Sequence, residues 1–69
     1  MKTFSEKLKE LRTEKGLTQK QISDDLKISV TGYAGYEQGV REPNFSVIKK
    51  LCKYFDVSAD YLLGITDSE

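Results

Sequence analysis

The sequence predicts an all-α domain of five short helices, and three observations carry the prediction. A residue that caps helix N-termini stands before each of five segments: Thr3, Thr18, Ser29, Asn44 and Ser58. Apolar residues within the segments recur at spacings of three and four, the period of one helical face. Glycine closes three of them, at Gly16, Gly39 and Gly64, where a chain leaving a helix commonly turns left-handed.

The first helix opens on Thr3-Phe4-Ser5-Glu6, a capping box in which the Thr hydroxyl accepts from a free backbone N–H and the Glu carboxylate reaches back. Phe4, Leu8 and Leu11 share one face, and the helix is expected to end near Gly16. Thr18-Gln19-Lys20-Gln21 is a second capping box, with Leu17 placed to staple onto Ile22. Helix two then runs from Gln19 to about Leu26 and turns Ile22 and Leu26 inward. After Lys27-Ile28-Ser29, a third helix carries Tyr33 and Tyr36 on its core side and ends at Gly39. Two short helices across so tight a turn have the sequence form of a helix-turn-helix. Residues 40–43 form a loop, and Asn44 caps a fourth helix whose Phe45, Ile48, Leu51, Cys52 and Phe55 repeat at helical spacing. Asp56-Val57 breaks it. Ser58 caps a last short helix, Ala59 to Leu63, and residues 65–69 are a polar tail. The whole, 1–69, reads as a single domain with its core between about 4 and 64.

Composition narrows the function. Apolar residues make up 38% of the 69 and charged residues 32%, as in a soluble globular domain. No apolar run approaches the roughly 20 residues of a membrane span, and Met1-Lys2-Thr3-Phe4 lacks the hydrophobic stretch of a signal peptide, so a cytoplasmic protein is expected. Cys52 has no cysteine partner and reads as a structural thiol at an apolar helical position. There is no histidine, which removes the commonest general base and the commonest metal ligand. The acids Asp24, Asp25, Asp67 and Glu69 lie in nothing like a coordination loop. An enzyme, a metal site, a cofactor and a small-molecule ligand are all unexpected here. Eleven basic and eleven acidic residues balance, so net charge does not point to nucleic acid. The distribution is uneven, however: Lys2, Lys7, Lys9, Arg12, Lys15 and Lys20 face only Glu6, Glu10 and Glu14 within residues 1–20.

Leu17-Thr18-Gln19, Ile22, Leu26, Ile28-Ser29, Tyr36-Glu37-Gln38-Gly39, Pro43, Val57-Ser58 and Tyr61-Leu62-Leu63-Gly64 together resemble the lambda-repressor-like, Cro-type (XRE) family. The resemblance runs from about Phe4 to Gly64. It implies a sequence-specific transcriptional regulator, expected to be a repressor, that binds a double-stranded DNA operator as a homodimer. Helix two would rest across the DNA backbone and helix three would enter the major groove. By the same resemblance Val30, Thr31, Ala34 and Gly35 face the groove. Gln19, Gln38 and Arg41 match phosphate-contacting positions, with Lys20 and Lys27 as further cations near phosphate, and Arg12 with Glu37 matches an internal ion pair.

Departures from the family pattern are informative. Lys27 and Asp56 stand where the family usually has glycine in a left-handed turn, a conformation that Asp tolerates better than Lys. The groove-facing positions carry no Arg, Asn or Gln to make bidentate contacts with guanine or adenine; Val30, Ala34 and the Thr31 methyl suit thymine methyl groups instead, leaving DNA shape to supply the rest. Gly32 and Gly35 weaken the third helix, which packing through Tyr33 and Tyr36 must hold. A bare backbone at Gly35 either lets the helix approach the base edges closely or is merely tolerated. Dimer contact is expected around helix five, at Tyr54, Tyr61 and Ile65. The competing reading is a helix-turn-helix used as a protein-interaction module, which the zero net charge and the sparse third helix favour.

Overall fold

The computed structural model describes residues 3–65. It contains α1 (Phe4–Glu14), α2 (Gln19–Leu26), α3 (Val30–Gln38), α4 (Phe45–Phe55) and α5 (Ala59–Leu62). Each of the five caps accepts a hydrogen bond from the third helical residue: Thr3 from Glu6, Thr18 from Gln21, Ser29 from Gly32, Asn44 from Val47 and Ser58 from Tyr61. Both capping boxes are closed, since the Glu6 and Gln21 side chains accept in return from the backbone of Thr3 and Thr18. The last helix stops one residue before the expected Leu63, which caps it. The polar tail at 66–69, with Asp67 and Glu69, lies outside the described residues.

Among the described residues five take a left-handed backbone. Gly16, Gly39 and Gly64 do so freely at φ of 69, 78 and 82°, whereas Lys27 and Asp56 do so with side chains, at 59 and 55°. For Lys27 this costs roughly 1 kcal/mol. The turn nevertheless closes, because the Lys27 N–H bonds to the Asp24 carbonyl and the Ile28 N–H to that of Ser23. Consequently α3 starts at once after α2, at an angle fixed by backbone hydrogen bonds.

Leu8 and Leu11 of α1, Ile22 and Leu26 of α2, Tyr33 and Tyr36 of α3, Val47, Leu51 and Phe55 of α4, and Val57 and Leu62 close one core. Burial of this kind contributes about 1.5–3 kcal/mol for each large apolar side chain. The expected face of α4 needs correction. Its innermost stripe is Val47, Leu51 and Phe55, while Phe45 is 84% exposed and Ile48 and Cys52 are only partly buried. The helix is rotated toward its i, i+4, i+8 row, so Phe45 at its first position points away from the core. Lys7 is buried too, with its ammonium 4.0 Å from the centre of the Tyr61 ring, a cation–π contact that ties α1 to α5. Among the described residues no helix is long and apolar enough to cross a membrane, and no group of three acids, cysteines or histidines is placed to hold a metal.

Candidate nucleic-acid interface

Helix α3 is divided lengthwise. At 100° per residue, Tyr33 and Tyr36 fall on one side and Thr31, Ala34 and Gln38 on the other, with Val30 and Glu37 together at one border. Tyr33 is fully buried and Tyr36 nearly so. On the opposite side Thr31 and Gln38 are exposed and Ala34 half-buried, and Val30 at the border is 43% exposed. Val30 thus leaves an apolar group partly in solvent beside the small side chains of Thr31 and Ala34.

The buried side of α3 is held by one carboxylate. Glu37 accepts from Arg12 Nε at 2.6 Å and from a second guanidinium nitrogen at 3.1 Å, from Gln19 Nε2 at 3.1 Å, and from the Tyr33 hydroxyl. Arg12 also donates to the Leu17 carbonyl at 2.7 Å. Three helices and the α1–α2 connection thus meet at a single group. Burial pushes the Glu37 carboxyl up, but the hydrogen bonds from Arg12, Tyr33 and Gln19 outweigh it and hold the group below the usual carboxylate range. Arg12 is held above its ordinary value, chiefly by its bond to Glu37 and in spite of its own desolvation. Burial and the Glu37 charge push the Tyr33 phenol upward, so it stays a donor. Neither the Gln19 nor the Tyr33 bond is foreseen in the sequence reading, although Tyr33 and Glu37 sit four apart on one helix, a spacing that brings side chains together.

The cations and amides expected to meet phosphate are placed as follows. Gln19 opens α2 and is half-buried, with one amide N–H spent on Glu37 and the other still available. Lys20 is exposed, and its ammonium lies 3.1 Å from Asp24 one turn on, a surface pair of small energy. Lys27 is exposed at the turn and Gln38 at the end of α3. Arg41 is also exposed, and its guanidinium carbon lies 6.0 Å from the centre of the Tyr36 ring.

Gly35 differs from the expectation. It is buried, and a methyl built on it would meet Cδ and Cγ of Arg41 at 2.9 Å. The side chain of Arg41 therefore lies over the backbone that was expected to approach the groove floor. Tyr54 and Tyr61 differ as well. Both pack against the core, Tyr54 edge-on to Phe55 with its hydroxyl donating to Asp25 at 2.6 Å. Both tyrosines are partly buried against the core, and among the described residues the large apolar groups left exposed besides Val30 are Val40, Phe45, Leu63 and Ile65.

With this geometry in hand, comparison with known proteins gives the class. Residues 8–62 match the helix-turn-helix family, and the chain belongs to it, in its XRE-type branch. It is similar to an uncharacterised HTH-type transcriptional regulator, YqaE, of Bacillus subtilis, at 45% identity over 87% of this chain and 52% of that protein. It is also similar to RstR, a cryptic phage transcriptional repressor of Vibrio cholerae, at 32% identity over 96% of this chain and 58% of that one. A transcriptional activator, BcrR of Enterococcus faecalis, is a further relative. The crystal structure of a transcriptional regulator from Listeria innocua superposes with a TM-score of 0.85 at 34% identity, covering 90% of this chain and 58% of the other. The chain spans 30% of the length of BcrR and 52–58% of the length of the others. These relatives are named as transcriptional regulators, and the chain shares their helix-turn-helix.

Proposed function

We propose that this protein is a sequence-specific transcriptional repressor of the cytoplasm that binds double-stranded DNA as a homodimer, reading the major groove with α3. The observation that carries the reading is the division of α3. The core side, Tyr33 and Tyr36, is held to α1 and α2 through the Glu37 carboxylate at its border, while Val30 and Thr31 are exposed and Ala34 is half-buried. A helix so fixed can be inserted without losing its orientation. Val30, Ala34 and the Thr31 methyl then meet thymine methyl groups, and the Thr31 hydroxyl meets a base edge. Gln19, Lys20, Lys27, Gln38 and Arg41 take phosphates on either side. A bound dimer blocks polymerase wherever its operator overlaps a promoter, and the similarity to a phage repressor supports that sign.

Selection of bound fragments from a random DNA pool tests the reading. A recovered palindromic site with half-sites one helical turn apart is expected. Three cations per protomer make six per dimer and give a log–log salt slope on the order of −5. Thr31→Ala and Val30→Ser should each change preference at one or two A·T positions, by about 1–3 kcal/mol at most. If no DNA is retained even at low salt, the fold serves as a protein-interaction module instead.

A further inference from the structure

Glycine is costly inside a helix, and at Gly35 of the nine-residue α3 the space a side chain would take is filled by Arg41. Gly39 ends α3 left-handed, and the N–H groups of Val40 and Arg41 then both bond to the Gly35 carbonyl, at 3.1 and 3.2 Å. The Arg41 backbone is thus pinned beside Gly35, and its side chain has to leave along the helix. It does so over Gly35. The three atoms nearest to a methyl on Gly35 are Cδ, Cγ and Cβ of Arg41, at 2.9, 2.9 and 3.4 Å. One turn nearer the N-terminus, a methyl on Gly32 would meet the Ser29 hydroxyl oxygen at 2.9 Å and would stand in ordinary contact, at 3.5 Å, with a terminal nitrogen of the same guanidinium. Gly32 and Gly35 are three residues apart and so share one flank of α3. Together they form a track without side chains on which the Arg41 stem lies extended, from the end of the helix back to its first turn.

That flank lies between the core side of α3 and the side carrying Thr31 and Ala34. With the latter toward the base edges, the flank faces a wall of the major groove, which is sugar and phosphate. We propose that Gly35 is a positioning residue. It holds the Arg41 guanidinium along α3 so that it meets a backbone phosphate bordering the groove, and it does not itself admit the helix to the bases. The inference rests on the DNA-binding reading above.

A double-mutant cycle on the selected operator, with the salt dependence measured for each variant, tests it. Arg41→Ala should weaken binding to all sequences alike and reduce the salt slope by about 0.9 for each protomer bound. In Gly35→Ala the methyl displaces the Arg41 stem, so the loss of affinity and of slope should be of similar size. The double variant should bind no worse than Arg41→Ala alone. In the Arg41→Ala background the methyl has no Arg41 stem to displace, so that comparison stands even if Gly35→Ala alone folds poorly. A further loss of affinity in the double variant would mean that the methyl strikes DNA directly, and the inference falls. It falls equally if Gly35→Ala keeps the wild-type slope, or if Arg41→Ala changes the selected sequence and not the slope. Failure of the wild-type protein to select any DNA removes both the inference and the reading beneath it, whereas the other outcomes leave DNA binding intact.

Discussion

At the scale of the residue, Glu37 is the group whose loss the fold should feel most. Its four accepted hydrogen bonds satisfy donors on Arg12, Gln19 and Tyr33, so Glu37→Ala leaves a partly buried, ionised guanidinium without its counter-charge and with the Leu17 carbonyl as its remaining acceptor. Removing one partner of such a pair costs about 3–5 kcal/mol, a large share of the stability of a small domain. Acid should produce part of the same loss. In the unfolded chain Glu37 takes up a proton near its ordinary value of 4.5, and in the folded chain only at lower pH. Between those two values the unfolded state holds the extra proton, so its stabilising contribution is complete above about pH 4.5 and fades as pH falls toward the folded value. Urea unfolding of wild type and Glu37→Gln at pH 7 and at successive steps down to pH 3 should therefore show a gap in stability that narrows on acidification. A gap that widened would contradict the hydrogen-bonding scheme. Lys27 offers a second case, in which stability and binding are expected to diverge. Its left-handed backbone favours glycine, so Lys27→Gly should gain up to about 1 kcal/mol, measured by thermal melting. The same variant loses a cation proposed to lie near phosphate and should bind operator more weakly with a shallower salt slope.

At the scale of the element, the recognition helix is poor in intrinsic tendency and depends on its ends. Val30, Thr31, Gly32 and Gly35 all lower helix propensity, and the Ser29 hydroxyl accepting from the Gly32 N–H at 3.0 Å compensates at the first turn. Ser29→Ala should cost about 1 kcal/mol, which in a domain of this size lowers the melting temperature by roughly 4–8 °C. Ser29→Asp restores an acceptor and should recover the melting temperature, yet it places negative charge near the DNA and should weaken binding. Such caps were legible in the sequence because they are local: a hydroxyl or amide three residues before its partner needs no knowledge of the rest of the chain. The turn glycines were legible for the same reason, whereas Lys27 and Asp56 in glycine positions came from the family resemblance. The face of α4 was not. Phe45, Ile48 and Cys52 make one row and Val47, Leu51 and Phe55 another, and only contact with α2 and α5 decides between them. The partnership of Arg12 and Glu37, 25 residues apart, came from the family resemblance and not from period, while the track beneath Arg41 depends on the course of a loop that no spacing encodes.

At the scale of the whole molecule, one protomer measures 28 × 23 × 19 Å, less than the roughly 34 Å between half-sites one helical turn apart on DNA. Reading two half-sites thus requires two copies, and the exposed apolar residues say where they should meet. Phe45 is 84% exposed at the start of α4, and Leu63 lines a surface depression with Pro43 and Ile48, which places the end of α5 beside the loop that leads into Phe45. Ile65 continues the chain from there, 67% exposed. Tyr54 and Tyr61 are occupied within the fold, so the contact should centre on Phe45 and Leu63. In a two-fold dimer each such residue is buried twice. At about 1.5–3 kcal/mol per buried Phe, Phe45→Asp should weaken association by on the order of 100-fold or more. Its exposure means the protomer should still fold, with an unchanged circular dichroism spectrum and melting temperature. Sedimentation on operator DNA should then find two wild-type copies per site and, at the same concentration, one copy of Phe45→Asp on a single half-site. A Phe45→Asp protein that still binds in pairs as wild type does would move the interface away from Phe45, and a wild type that remains strictly monomeric both free and on DNA would leave these residues without a partner in a second copy.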